Sequence, residues 1–379
     1  MDIRLKQTKL GLPTSYRGEP QRRPAANSSG CIEDIKPSDC GVCTHCGGWR
    51  SRITTVGRNR LEEGIGLTWQ ILKDLCRVPR WLLAFSGGKD SSALLALAVE
   101  FLRRERPPSV SLEILYADTR LEIPPMARHA ERMLRRAQEL AVADGLPLLI
   151  RRLAAPPDQS FWVLVIGRGY PVPSFRFRWC TDRLKVRPMR RAAGEGPAVM
   201  LVAVREGESA NRDGRLRRTC GRGECGPAAV GRAGPFPAVS PIRDWKSCDV
   251  WDFLVFQAPS WGWPTETMWH LYGEDETVRF GCWLCPLVRK DRAMQVAIAA
   301  ADGERPILEA LAAFRERLLE VSRDPRNRLL RSDGRPGRLR LEARITLLSA
   351  LSDLEHRTGL RILSEAEAVL IRKSWEEEL

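Results

Sequence analysis

The chain has 379 residues, of which 43% are hydrophobic and 28% charged, enough for a full α/β domain with one or two smaller modules. No apolar run approaches the roughly 20 residues that cross a membrane, and the start MDIRLKQTKL lacks a hydrophobic signal core, so we expect a cytoplasmic protein with no membrane partner. The net charge of +14 comes mainly from arginine, whose side chain binds phosphate well. Nucleic acid is therefore the first expected partner. A basic nucleotide pocket, or a genome biased toward arginine codons, would explain part of this charge.

A group of cysteines follows a polar arm over residues 1–30. Eleven cysteines in a chain expected to be cytoplasmic favour metal or redox chemistry over disulfides. The first group has the spacing Cys-x8-Cys-x2-Cys-x2-Cys with His45 inside it. Four thiols this close predict one metal centre, either structural zinc or an iron–sulfur cluster, with free loop cysteines as the alternative. The predicted ligands are Cys31, Cys40, Cys43 and Cys46.

A loop rich in glycine and serine follows the first strand of the predicted catalytic domain. The apolar run 81–85 predicts this strand, and the helix formers over 93–98 predict a helix after the loop. Gly87 and Gly88 would allow positive φ and a close backbone approach, so the loop N–H groups and the helix dipole favour a phosphate. Lys89 adds a cation, and Asp90 would hold Mg²⁺ against the phosphates. The alternative is an ordinary turn. The predicted phosphate-binding residues are Ser86, Gly87, Gly88, Lys89, Asp90, Ser91 and Ser92.

Strand and helix patterns continue to alternate after this loop. We predict strands over 111–117, 148–153 and 198–204 and a helix over 124–143. The alternation predicts an α/β fold with a parallel sheet, which binds ligands at the carboxyl ends of its strands. Asp118 follows one such end, where it would contact a ligand or cap the next helix.

Two basic segments come next in the chain. The first, FRFRWCTDRLKVRP over 175–188, interleaves aromatic and cationic side chains, which suits contacts with phosphates and bases. The second begins at Arg205 and is rich in arginine and glycine to about residue 237. Because it lacks periodicity, we predict a long mobile loop whose arginines close over a nucleotide or grip a polynucleotide. A solvated charged surface is the alternative for both segments.

The last cysteine motif is FGCWLCPLVRKD over 280–291. Cys282 and Cys285 can chelate one metal centre, and a proline after the second thiol is typical of bacterial ferredoxin runs. Two thiols cannot complete a four-thiolate site, so further ligands must come from Cys180, Cys220 or Cys225. We predict an iron–sulfur cluster on Cys180, Cys220, Cys282 and Cys285. Zinc, or a metal-free thiol–disulfide or persulfide pair, is the alternative.

The segment after residue 291 has helical periodicity to its end, without a motif that carries chemistry. We predict helices over 293–301, 307–321, 339–354 and 365–378. The sequence thus predicts three parts: a polar arm and cysteine module over 1–60, a catalytic domain over 61–290 and a helical module over 291–379.

Three motifs resemble those of known enzymes. SGGKDSS over 86–92 resembles the S-G-G-x-D-S loop of PP-loop ATP pyrophosphatases, which split ATP between its α and β phosphates. RWCTDRLK over 178–185 and REGESANR over 205–212 resemble segments of PAPS-reductase-like proteins. The resemblance implies a parallel-sheet, PAPS-reductase-like PP-loop fold that binds ATP with Mg²⁺. It implies nucleotide contacts by Asp118, Arg183, Lys185, Arg205 and Arg212. It also implies catalytic roles for Lys89, Asp90, Cys180 and Lys185.

Over residues 81–291, about half of the chain, the motifs most resemble the sulfurtransferase component of bacterial DNA phosphorothioation, the Dnd and Ssp systems. This resemblance implies a 4Fe-4S cluster and partnership with a cysteine desulfurase and other modification subunits. The Dnd enzymes carry further cysteines shortly before the C-x2-C pair, whereas residues 261–280 contain none. The N-terminal cysteines resemble those of archaeal PAPS-reductase-like proteins and the zinc knuckles of tRNA-thiolating enzymes.

The sequence therefore predicts an ATP pyrophosphatase and sulfurtransferase. It would adenylate a nucleic-acid oxygen, on a DNA backbone phosphate in preference to tRNA, for replacement by sulfur. Three alternatives remain: a PAPS or adenylyl-sulfate reductase that releases sulfite, a tRNA-thiolating enzyme, and a noncatalytic zinc-containing nucleic-acid-binding protein. The intact phosphate loop argues against the last.

Overall fold

The computed structural model describes residues 42–43, 48–49, 53, 55–175, 177–206, 228–275, 277–288, 290–301 and 303–378. No helix within these ranges is both long enough and apolar enough to cross a membrane. The strands are β1 (Val42–Cys43), β2 (Gly48–Trp49), β3 (Arg80–Phe85), β4 (Ser111–Ala117), β5 (Leu148–Leu153), β6 (Val199–Leu201), β7 (Ala229–Ala233), β8 (Phe236–Val239), β9 (Arg328–Leu330) and β10 (Pro336–Leu339).

Helices connect the strands and form the carboxyl-terminal part of the chain. The α-helices are α1 (Thr55–Asp74), α2 (Lys89–Glu105), α3 (Pro124–Asp144), α4 (Arg187–Ala193), α5 (Ser247–Asp252), α6 (Ala258–Ser260), α7 (Met268–Leu271), α8 (Arg292–Ala299), α9 (Arg305–Arg323), α10 (Leu341–Thr358) and α11 (Glu365–Glu376). Wider π-helical turns cover Val163–Gly167, Thr181–Val186 and Phe253–Gln257. The four predicted carboxyl-terminal helices are present as α8 to α11, with ends shifted by a few residues.

Six strands form one sheet in the order β5-β4-β3-β6-β8-β7. Five of them are parallel, and only the edge strand β7 runs antiparallel to its neighbour. From β3 the chain moves through β4 and β5 on one side and through β6 and β8 on the other. The adjacent ends of β3 and β6 therefore form the topological switch point where open α/β sheets bind ligands. The predicted α/β fold with a parallel sheet is confirmed.

Strands β4 and β5 have the predicted bounds, but two predictions near β6 are wrong. The strand predicted over 198–204 ends at Leu201, because the chain then turns toward Ser240, whose hydroxyl accepts the Val204 N–H at 3.2 Å. The loop predicted as far as residue 237 contains the β7–β8 hairpin. Residues 207–227 of that loop lie outside the described residues.

Hydrophobic cores cover both faces of the sheet. The smaller core contains Leu82, Leu115 and Met200 with Ala193 of α4. The larger core holds the buried side chains of α1, α2 and α3 together with those of the carboxyl-terminal helices, such as Ile371. The central strands β3 and β4 are thus enclosed on each side, as their almost continuous apolar sequences require. The boundaries at residues 60 and 290 stay a prediction.

The carboxyl-terminal part contacts the sheet domain directly. The indole N–H of Trp375 on α11 donates to the carbonyl of Ile166 at 2.9 Å, and Arg120, just after β4, pairs with the buried Glu367. The hairpin β9–β10 stands between α9 and α10 and was not predicted, because its strands are short and rich in arginine.

Candidate functional site: a phosphate loop beside a group of thiols

The loop after β3 turns sharply and leads directly into α2. Gly87 has φ of +75°, and a Cβ atom there would lie 2.8 Å from the Cβ of Ala130, so only glycine fits. The prediction of a positive φ at Gly88 is wrong: this residue is the N-cap of α2 with φ of −78°. The helix begins at Lys89 rather than near Ala93, so the last four loop residues form its first turn. The positive end of the helix dipole therefore lies within the loop.

Asp90 forms two ion pairs at the centre of this loop. Its carboxylate accepts from Lys89 Nζ at 2.7 Å and from Arg205 Nε at 2.5 Å. Burial raises the pKa of Asp90, but the charges of and hydrogen bonds from Lys89 and Arg205 outweigh burial, and the net pKa is lowered. Asp90 is consequently a carboxylate at neutral pH. Arg205, predicted as a nucleotide contact, is buried and also donates to the carbonyl of Trp245 at 3.3 Å.

A cavity of about 520 Å³ opens above the loop at the switch point. Tyr272, which directly follows α7, lines this cavity and was not predicted as a site residue. Its hydroxyl accepts the Lys89 N–H at 3.0 Å. No local motif marks Tyr272, because the contact joins residues 183 positions apart. The cavity is lined by Ala84, Ser86, Gly88, Lys89, Asp90, Ser91, Val202, Ala203, Val204, Val230, Tyr272, Val278, Arg279 and Phe280.

The loop serines divide into two roles. Ser86 and Ser91 line the cavity and their hydroxyls lie 3.1 Å apart. Ser92 was predicted to bind phosphate, but its buried hydroxyl instead lies 3.2 Å from Nε2 of His129 on α3. Burial, followed by the charge of Arg132, lowers the pKa of His129 to about 3, so the imidazole is neutral. The contact between Ser92 and His129 thus holds the first turn of α2 against α3.

The other predicted nucleotide contacts do not line this cavity. Asp118 accepts the Arg120 N–H at 2.9 Å and lines a separate, much smaller cavity beside Glu367. Arg183 pairs with Gln159 and lies over the ring of Tyr170, with 5.5 Å between its guanidinium carbon and the ring centroid. Arg212 lies outside the described residues. The nucleotide-binding roles of these residues stay predictions.

Cys180, Cys282 and Cys285 lie near one another: the charge of Cys285 acts on Cys180, and the charges of Cys180 and Cys285 act on Cys282. Burial is the main cause that raises the pKa of Cys180, and it raises the pKa of Cys282 to about 11 despite the nearby charge of Lys185. Lys185 Nζ lies 3.9 Å from Glu122, and Glu122 forms an antiparallel bridge with Cys282. The structure thus brings three of the four predicted cluster cysteines into one region, which we call the thiol group.

Arg315 of α9 holds the backbone of the cysteine motif. Its buried guanidinium donates to the carbonyl of Cys285 at 2.8 Å and to that of Val288 at 2.7 Å. The sequence carries a weak signal for this contact, because Arg315 interrupts the apolar stripe formed by Leu311 and Leu318. Arg315 therefore fixes where the second thiol of the motif lies.

The thiol group does not by itself form a metal site. Among the described residues, no three His, Cys, Asp or Glu side chains are arranged to hold a metal ion. Cys220, the fourth predicted ligand, lies outside the described residues, as does the alternative Cys225. The predicted N-terminal ligands Cys31, Cys40 and Cys46 also lie outside them, and Cys43 is described only as part of strand β1. Both metal sites stay predictions, and we derive no step through a cluster.

The sequence model of the phosphoadenosine phosphosulfate reductase domain matches residues 80–287, which is more than half of the chain. The loop, the switch-point cavity and the thiol group all lie within the matched range. The chain belongs to the phosphoadenosine phosphosulfate reductase domain family and is an enzyme of that superfamily.

Curated relatives are similar over part of their length. The uncharacterized protein MJ0066 of Methanocaldococcus jannaschii is 26% identical over 208 residues, which cover 54% of this chain and 36% of that protein. The uncharacterized protein MJ0973 of the same organism is 23% identical over 236 residues, covering 60% of this chain and 48% of that protein. The chain therefore spans less than half the length of these two relatives.

Among solved structures, the U34-tRNA thiolase NcsA from Methanococcus maripaludis, with its 4Fe-4S cluster, aligns at a TM-score of 0.33 and 12% identity. The alignment covers 74% of this chain and 87% of that one.

Proposed function

We propose that this protein is an ATP pyrophosphatase that activates a nucleic-acid oxygen for replacement by sulfur. The observation that supports the proposal best is the switch-point cavity, since one of its walls is the phosphate loop and another is the segment that leads to the cysteine motif. Phe280 lines the cavity two residues before Cys282. A nucleotide in this cavity would thus be next to the thiol group.

ATP would bind with its phosphates over the first turn of α2. The N–H groups of that turn and the helix dipole favour the phosphate charge, and Ser86 offers a hydroxyl donor. Lys89 and Asp90 line the same cavity, and Arg205 is connected to it through its ion pair with Asp90. Phosphate oxygens would draw Lys89 away from Asp90, which leaves that carboxylate available for Mg²⁺, a cation that prefers oxygen ligands. Lys89 and Arg205 would also stabilise the charge that develops on pyrophosphate.

The proposed reaction has two chemical steps. A nonbridging oxygen of the acceptor phosphate attacks the α-phosphorus of ATP, and pyrophosphate leaves. Hydrosulfide then attacks the activated acceptor phosphorus, loses its proton, and AMP leaves with the original acceptor oxygen. One phosphorus–sulfur bond replaces one phosphorus–oxygen bond. A cysteine desulfurase would deliver the sulfur as a persulfide, with Cys180 as its carrier, and a further thiol would supply the two electrons that release sulfide.

The DNA backbone is the acceptor that we favour. The motifs over residues 81–291 support it through their resemblance to the Dnd and Ssp sulfurtransferases, and the net charge of +14 supports a polyanionic partner. The modification subunits of such a system, including the desulfurase, are the partners that we propose. The 4Fe-4S cluster and zinc are cofactors that we propose for such an enzyme.

Sulfonucleotide reduction is the second candidate function, because the chain belongs to the family named for PAPS reduction. Such an enzyme would bind PAPS or adenylyl sulfate in the same cavity and transfer the sulfonate to a thiol, with the nucleotide as leaving group. A second thiol would then attack the sulfur of the first thiol, which releases sulfite and leaves a disulfide. The thiol group beside the cavity is compatible with this reaction. Release of sulfite rather than pyrophosphate would distinguish the two.

The experiment is a multiple-turnover assay of anaerobically purified full-length protein with ATP, Mg²⁺, hydrosulfide and DNA. We expect pyrophosphate and AMP in equal amounts and phosphorothioate dinucleotides after nuclease digestion of the DNA. Asp90→Asn should abolish both products while the protein stays folded. Incorporation of sulfur into tRNA instead of DNA would show that tRNA is the acceptor. Release of sulfite from PAPS without cleavage of ATP would contradict the proposal.

A further inference from the structure

Two adjoining cavities lie on the surface between the segment 170–177 and the hairpin β9–β10. They have volumes of about 710 and about 310 Å³ and share Pro336 in their walls. We call their combined rim the hairpin surface. The larger cavity is lined by Tyr170, Pro171, Phe177, Leu329, Leu330, Arg331, Pro336, Gly337 and Arg338.

Large apolar side chains of the hairpin surface are exposed to solvent. The exposed fractions are 77% for Phe175, 49% for Phe177 and 72% for Leu330. Exposed apolar side chains that cluster around a concavity, rather than standing singly, mark binding sites. Phe175 lines the smaller cavity and Phe177 the larger one, so two exposed aromatic rings of the same segment are available to stack on flat partners.

The same surface carries positive charge that the protein itself does not neutralise. Residues 323–340 contain seven arginines and two aspartates. The aspartates are already paired, Asp324 with Arg326 and Asp333 with Arg335. Within the described part of the chain, Arg331 and Arg338 are exposed and have no ion-pair or side-chain hydrogen-bond partner. The net electrostatic character of the rim is therefore cationic.

The hairpin surface is continuous with the thiol group. Phe177 lies three residues before Cys180, and Trp179 between them donates its indole N–H to the carbonyl of Pro171 at 2.9 Å. Pro286 and Leu287, which directly follow Cys285, line the smaller cavity together with Phe175. A ligand along this surface would end beside two of the three thiols.

We propose that the hairpin surface binds an unpaired strand of DNA and guides it to the thiol group. Aromatic rings stack on bases only when those bases are unstacked, and arginines neutralise the adjoining phosphates, which together favour a single strand over a duplex. The proposal rests on the proposed function for its choice of DNA. It adds that the acceptor is recognised unpaired, and in part by residues of the β9–β10 hairpin, which lies outside the matched family range.

The test measures binding of a fluorescent oligothymidylate to the full-length protein by anisotropy over a salt series. Phe175→Ala with Phe177→Ala should raise Kd about 10-fold or more through lost stacking. Arg331→Ala with Arg338→Ala should lower the slope of log Kd against log salt by about 1.4, since each single-strand phosphate contact contributes about 0.7. Since all four side chains are exposed, these variants should melt at the wild-type temperature.

A matched pair of changes on α3, Val142→Ala with Arg135→Ala, removes an exposed apolar and an exposed cationic side chain that line neither cavity. This control should bind like the wild type. An unchanged Kd and salt slope in both surface variants would overturn the proposal, as would tighter binding of a duplex, or of oligouridylate, than of the single DNA strand. Binding of an ATP analogue is measured on the same proteins. If the wild type does not bind the analogue, the proposed function is contradicted, whereas the proposal for the hairpin surface is tested by oligothymidylate binding alone.

Discussion

Arg205 and Asp90 form the ion pair on which the phosphate loop depends. Their side chains are 6% and 14% exposed, so loss of Arg205 leaves the poorly solvated Asp90 carboxylate with Lys89 as its remaining ion-pair partner. We predict that Arg205→Ala lowers the free energy of unfolding by about 3 kcal/mol, raises the pKa of Asp90 and weakens ATP binding.

Urea denaturation checks the stability change in Arg205→Ala, with Arg317→Ala as the control. Arg317 pairs with Glu320 on the surface, where both side chains are largely exposed, and its loss should cost less than about 1 kcal/mol. Equal costs at the two sites would show that the Asp90 pair does not support the loop.

Gly87 and Gly88 are adjacent in the sequence but differ in what they tolerate. We predict that Gly87→Ala destabilises the protein by about 1–3 kcal/mol, because it combines a left-handed φ with a Cβ contact of 2.8 Å to Ala130. At Gly88 a Cβ would meet the hydroxyls of Ser86 and Tyr272 at 3.6 and 3.7 Å, an ordinary contact, so Gly88→Ala should cost much less. Thermal melts of both variants provide the comparison, and a Gly88→Ala cost that matches or exceeds the Gly87→Ala cost would contradict this geometry.

His129 gives the protein an acid-sensitive contact behind the loop. The pKa of His129 is lowered to about 3 in the folded state, whereas the ordinary pKa of histidine is about 6.5. At pH values between these two, the unfolded chain therefore binds up to one more proton than the folded protein. Stability should therefore fall as pH decreases through this window, by up to about 1.4 kcal/mol per pH unit.

Replacement of His129 by Gln should flatten this part of the stability curve, measured by urea denaturation at about pH 7 and about pH 4.5. His356→Gln, at an exposed position on α10, controls for the loss of a histidine. If wild-type and His129→Gln curves run parallel, the imidazole does not stay neutral in the folded protein.

Helix α11 is the element that most directly joins the carboxyl-terminal part to the sheet domain. Ile371 is fully buried against Gly167, whereas Val369 on the same helix is half exposed. We predict that Ile371→Ala lowers the free energy of unfolding by about 2–5 kcal/mol and Val369→Ala by less than about 0.5 kcal/mol. Chemical denaturation gives both values. Similar values would indicate that α11 does not pack on the domain as described.

The long elements could be predicted because their patterns are local. Strands β4 and β5 are short apolar runs between turn residues, and α3 has apolar side chains at helical spacing from Pro124 onward. The phosphate loop was identified for the same reason, since its residues are consecutive. The conformation of Gly88 was not, because it depends on tertiary packing, such as the close approach of Ala130 to Gly87.

The elements and contacts that were missed depend on distant partners. Strands β7 and β8 contain few residues each and pair across a tight turn, so they have no periodic pattern of their own. Tyr272, just after α7, contacts the phosphate loop 183 positions away, and Arg315 on α9 contacts the cysteine motif 30 positions away. Neither residue belongs to a motif. Their positions follow from the tertiary packing alone.

At the scale of the whole molecule, one segment connects nucleotide and sulfur chemistry. Residues 278–280 line the switch-point cavity, and two residues later Cys282 bridges Glu122 beyond β4. A nucleotide that displaces Phe280 or Tyr272 would therefore move the chain that carries the thiols. Arg315 limits this motion, because it holds the carbonyl of Cys285 from the opposite side.

The measurement that tests the central claim most directly is calorimetric titration of the full-length protein with ATP, AMP and PAPS in the presence of Mg²⁺. The account predicts that ATP binds with one site per chain, that AMP binds at least about 10-fold more weakly because it lacks the phosphates that the loop would hold, and that Asp90→Asn loses the preference. No heat with ATP, or tighter binding of PAPS than of ATP, would contradict it.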